Sequence, residues 1–88
     1  MARYDVALLE ESAFAGSPGG DILVKLGLMY STGGEIPADR VAAHKWFNIA
    51  ASKGSREAVR LRRELAEEMS AAEIAAAQRA AREWLTTH

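Results

Sequence analysis

The chain has 88 residues, is 49% hydrophobic, holds no cysteine, and balances 11 Lys and Arg against 12 Asp and Glu for a net charge of −1. This length suits one domain and exceeds the roughly 40 residues below which chains generally need disulfides or metals to fold. The missing cysteines exclude disulfide scaffolds, thiolate metal sites and thiol nucleophiles together, and neither half of the sequence has the charge excess of a phosphate-driven nucleic-acid binder.

Five stretches read as helices, separated by Gly16-Ser17-Pro18-Gly19-Gly20, Gly33-Gly34-Glu35-Ile36-Pro37, Gly54-Ser55 and Met69-Ser70, and none alternates as a half-buried strand does. The stretch 3–15 puts Val6, Leu9 and Ala13 on one face. Its acidic residues, starting at Asp5 and followed by Glu10 and Glu11, leave Val6 to Leu9 too short for a signal peptide. Ser17 and Pro18 read as an N-cap followed by proline at the first helical position. The stretch 21–32 carries Ile22, Leu26, Met29 and Tyr30 at helical spacing, and Gly33 suits the left-handed residue that closes a helix.

The stretch 39–53 opens on Asp39 as N-cap and stripes Ala43, Trp46, Phe47, Ala50 and Ala51 along one side, ending at Gly54. The stretch 55–68 starts at Ser55 and aligns Ala58, Leu61, Leu65 and Met69. The last stretch has the strongest start signal. Ser70 and Glu73 form a capping box, Met69 and Ile74 stand at hydrophobic-staple positions, and Ile74, Ala77, Ala81 and Trp84 form a stripe. Short connections make successive helices antiparallel. Small residues on the stripes let helix axes approach, with Tyr30, Trp46 and Phe47 filling the gaps.

From Ile22 to Ala58 the sequence resembles a Sel-1-like repeat, in the order Leu26-Gly27, Tyr30, Gly33, Ile36, Asp39, Ala43, Trp46, Ala50-Ala51, Gly54 and Ala58. It departs at Glu35, where the family carries glycine, and at Ile22, where it carries alanine. The resemblance implies an all-α fold of antiparallel α/α hairpins, a tetratricopeptide-like α-solenoid of about five helices. Residues 1–20 would be an N-terminal helix or half repeat, 21–54 a complete repeat, and 55–88 a C-terminal capping helix pair. Arg62-Arg63 stands where the next copy would carry its Leu-Gly pair, and two arginines do not fit a tight helix contact, so the solenoid is expected to stop there with a polar outer face.

Residues suited to chemistry are few. His44 and His88 are the two histidines, with no i, i+4 pair and no His-Glu-x-x-His motif, so His44 reads as solvent-facing or partly packed and His88 as a frayed end. The glycine-rich 16–20 loop lacks the lysine of a P-loop and reads as an inter-helix turn. The cluster Arg56, Arg60, Arg62 and Arg63 is interleaved with Glu57, Glu64, Glu67 and Glu68, and reads as a paired, solvated face through Arg60–Glu64 and Arg63–Glu67. No catalytic constellation, metal site or cofactor is expected.

The functional expectation is a protein–protein interaction adaptor of the cytoplasm, with no membrane span, since no run approaches about 20 apolar residues. The family's members act mainly as adaptors, and the first helix of each hairpin lines their concave surface. That points to Val24, Lys25, Leu28 and Thr32 as the partner-binding face, or as a contact between copies of the chain. The alternative is a regulatory domain that binds a small anionic ligand or nucleic acid through the Arg-rich stretch 55–68.

Overall fold

A computed structural model describes residues 19–88. Among these residues the chain is all-helical, with α1 at Gly20–Thr32, α2 at Arg40–Ser52, α3 at Arg56–Ala66 and α4 at Ala71–Thr87. The expected helix at 3–15, and with it the five-helix count and the half repeat at 1–20, lies outside the described residues. No described helix is long and apolar enough to cross a membrane.

The ends form as their sequences dictate, with one exception. Asp39 accepts from the Ala42 amide at 3.0 Å and Ser55 from the Ala58 amide at 3.1 Å, each satisfying a donor that a helix start leaves free. The capping box is complete, because Ser70 Oγ accepts from the Glu73 amide while Glu73 Oε1 accepts from the Ser70 amide. Gly33 ends α1 at φ 68°, a conformation that a Cβ disfavours. The exception is the start of α1. Its N-cap is Gly19, without a side-chain bond, and the Ser17-Pro18 start expected from the sequence lies outside the described residues.

The second helix is the centre of the fold. α2 packs against α1, α3 and α4, whereas α3 and α4 scarcely meet. Trp46, Phe47, Ile49 and Ala50 of α2 are buried with Leu23 and Leu26 of α1, Ala58 and Leu65 of α3, and Ala81 and Trp84 of α4. Trp46 and Trp84 meet edge to face with centroids 5.7 Å apart. Tyr30 packs against the same core from its edge.

The contact that joins α1 to α2 depends on an absent side chain. A Cβ at Gly27 would run into the Phe47 ring, so only glycine lets the two axes come this close. α1 and α2 are antiparallel, with the Asp39 amide donating to the Tyr30 carbonyl at 2.9 Å across their turn. α2 and α4 run parallel, and Arg40 and Glu73 at their N-terminal ends lie 3.9 Å apart.

Replacing Gly27 by valine is expected to lower stability by about 2–3 kcal/mol, since the Phe47 ring cannot yield without opening the core. Urea unfolding followed by circular dichroism measures this. An unchanged midpoint would show that the two helices are not held at this distance.

Candidate cleft between the third and fourth helices

Counting from the N-caps explains why one hairpin is closed and the other open. Gly27 is the eighth residue after Gly19, and Phe47 the eighth after Asp39. In the second hairpin the eighth residues after Ser55 and Ser70 are Arg63 and Gln78. The small residue and the ring that nest in the first hairpin are thus replaced by two long polar side chains, which cannot share such a contact. α3 and α4 both remain on α2 but splay apart, leaving a cleft floored by α2.

Two adjoining cavities of about 560 and 400 Å³ make up this cleft, sharing Asn48, Val59, Arg62 and Gln78. The floor is His44, Asn48, Ala51 and Ser52 of α2. One wall is Val59, Arg62, Arg63 and Ala66 of α3. The other is Ile74, Gln78, Ala81, Arg82 and Leu85 of α4. Leu85, 38% exposed, is one of two large apolar side chains left open to solvent among the described residues. No carboxylate lines the cleft among the described residues.

A chain of hydrogen bonds orders the floor. Arg62 Nη1 donates to Asn48 Oδ1 at 2.5 Å, and Asn48 Nδ2 lies 3.1 Å from His44 Nδ1. Arginine can only donate, so Asn48 must face it with its carbonyl oxygen and turn its amide nitrogen to His44. His44 Nδ1 therefore accepts, which places the neutral imidazole's proton on Nε2. The bond from the guanidinium is charge-assisted, a class that contributes about 1.5–3 kcal/mol.

His44 is only 2% exposed, correcting the solvent-facing or partly packed expectation. Burial pushes its pKa below the ordinary 6.5, and the positive charge of Arg62 pushes in the same direction. Protonation would put a hydrogen on Nδ1 facing the Asn48 amide, donor against donor. His88 is not an isolated end either, for its ring stacks on Trp84 at 4.7 Å.

The arginine-rich helix is only partly the self-neutralised face read from sequence. Arg60 pairs with Glu64 at 3.0 Å and with Glu57 at 3.8 Å, both on exposed side chains, where such a pair contributes about 0.2–0.5 kcal/mol. The expected Arg63–Glu67 pair does not form. α3 ends at Ala66, so Glu67 lies beyond the helix, and Arg63 lines the cleft instead. Arg62 is half-buried against Asn48.

The partner face expected on α1 divides. Val24 is 5% exposed and belongs to the core, while Leu28 is 37% exposed and Lys25 and Thr32 face solvent. None of the four reaches the cleft, which α2, α3 and α4 build without α1. The signal for the cleft was present in the sequence as Arg62-Arg63 at the positions that Leu26-Gly27 hold in α1. Its consequence for α4 was not visible there. Among the described residues no group of His, Asp and Glu is placed to hold a metal ion. No family model, curated protein or solved structure matches the chain.

The linkage between His44 and folding has a definite sign. Below about pH 6.5 the unfolded chain protonates this imidazole while the folded one resists, so the unfolded state binds more protons and stability falls as pH drops. The contribution is fully present above pH 6.5 and is lost on descending toward the lowered folded value. Titration of the His44 ring by carbon–proton NMR is expected to give a midpoint under 6.5, and a midpoint at or above it would refute the buried, Asn48-bonded geometry.

Proposed function

We propose that the chain is a protein-interaction module, an adaptor of the Sel-1-like type without catalytic activity, and that the cleft between α3 and α4 receives the partner. The observation that carries this reading is the cleft itself. It exposes Val59 and Leu85 beside polar groups on a floor already ordered by Arg62, Asn48 and His44. Concave, mostly preformed sites with a few converging polar groups are the ordinary form of a binding site.

Support for the Sel-1-like assignment comes from the roles that the pattern residues take. Leu26, Gly27, Ala43, Trp46, Ala50 and Ala58 are all buried, Gly33 takes the left-handed turn and Asp39 caps α2. These are the duties that a nesting hairpin requires. The C-terminal pair departs from a plain cap, since its polar positions open onto a recess.

Leu28 keeps a second surface in play, the one anticipated on α1 with Lys25 and Thr32. The two surfaces are separable. A photo-crosslinking amino acid placed at Leu85 is expected to give a discrete adduct in cells of the native host. The adduct should be lost when Gln78→Phe fills the cleft with the ring that the first hairpin carries at the matching position. The same group at Thr32 should give none. Adducts from Thr32 alone, or Leu85 adducts that survive Gln78→Phe, would move the binding face to α1.

A further inference from the structure

Resting on the cleft reading, we propose that its occupant is an acidic amphipathic helix, apolar along one side and carboxylate-bearing along its flanks. Charge is the first argument. The chain as a whole is nearly neutral, yet Arg62 and Arg82 line one cavity of the cleft from its two walls and Arg63 lines the adjoining one, with no carboxylate lining either among the described residues. On α3, Glu57 and Glu64 are engaged by Arg60 and leave the cleft arginines unneutralised. Guanidinium groups in a recess bind carboxylates by paired, directional hydrogen bonds, and lysine-rich or neutral segments would leave them without counter-charge.

The apolar lining sets the other half of the match. Val59 and Leu85 at one end and Ala66 and Ile74 at the other line the cleft beside the arginines. No Phe, Tyr or Trp among the described residues lines it and the His44 ring is only 2% exposed, so it offers no open platform on which nucleic-acid bases could stack. A protein segment fits this mixture better than an oligonucleotide.

Backbone hydrogen bonding selects the conformation of that segment. An extended peptide binds well where it can pair its N–H and C=O groups with a sheet edge. The walls here are helices whose backbone groups are already paired internally, and they present side chains alone. A helix brings its own backbone bonds satisfied and needs only side-chain contacts. Ile74 and Leu85 lie 11 residue steps apart on α4, about 16 Å at 1.5 Å per step, enough for an occupant of about three turns.

The test is an NMR titration of the nitrogen-15-labelled full chain, which registers weak binding as readily as strong. Three synthetic helical peptides of about 18 residues share one Leu/Ala face and carry Glu, Gln or Lys on their flanks, and an oligothymidylate is the fourth probe. The Glu peptide is expected to shift the amides of Val59, Arg62, Gln78 and Leu85, to bind at least about tenfold more tightly than the Lys peptide, and to weaken as salt is raised. The double variant Arg63→Glu, Arg82→Glu should reverse that preference with an unchanged circular dichroism spectrum. Should the double variant unfold, Arg82→Gln alone should weaken the Glu peptide about threefold.

The outcomes separate the two readings. Equal binding of all three peptides in the cleft would keep the binding site and overturn the acidic partner. Tighter binding of the oligonucleotide, or shifts confined to α1 around Leu28, would overturn the acidic helix. Silence from every probe would remove the cleft reading with it.

Discussion

The structure depends on how closely a helix can approach α2. At Gly27 the approach is unobstructed and the Phe47 ring lies against backbone, so α1 closes onto α2 over a dry, aromatic contact. Each large apolar group buried there contributes about 1.5–3 kcal/mol, and Leu23, Leu26, Trp46, Phe47 and Ile49 are all within a few percent of complete burial. α2 can therefore serve as the axis around which the shorter α3 and the longer α4 are arranged. Without that first contact α2 would be apolar on more faces than α3 and α4 could cover.

In the second hairpin the same positions hold other residues, and the helices separate. Arg63 and Gln78 stand at the matching places after their N-caps, and both line an open cleft instead of nesting. α3 keeps its grip on α2 through Ala58 and Leu65, and α4 keeps its own through Ala81 and Trp84. The gap between them is thus a consequence of local side-chain volume and charge, within the same helical plan. A cleft formed in this way carries arginines from the start, because they are the residues that prevent its closing.

Polar order and apolar packing meet at Asn48. It lies on the same helix as Trp46 and Phe47, one turn from His44, and it takes the charge-assisted bond of Arg62 from the neighbouring helix. A half-buried guanidinium without that acceptor would be strongly disfavoured, so Asn48 permits Arg62 to remain at the position where α1 carries Leu26. The buried imidazole completes the network by accepting from Asn48, and it can do so only while neutral. Protonation of His44 would consequently break the network that orders the floor of the cleft.

Much of the helical plan was legible in the residues themselves. Asp39, Ser55 and Ser70 marked three starts, Gly33 marked one end, and the spacing of Ala43, Trp46, Phe47 and Ala50 identified the buried side of α2, because capping and the 3.6-residue period act within a few residues. Features beyond local reach were decided by packing. Val24 was expected on a partner-binding face, and the assembled helices place it in the core instead. His44 looked like a flank residue, and only the proximity of α3, through Arg62, explains its buried network. The arginine pair announced that a tight contact would fail. That α4 would nevertheless stay on α2, and so open a recess between two helices adjacent in sequence, was settled by distances between residues far apart along the chain, which no local pattern encodes.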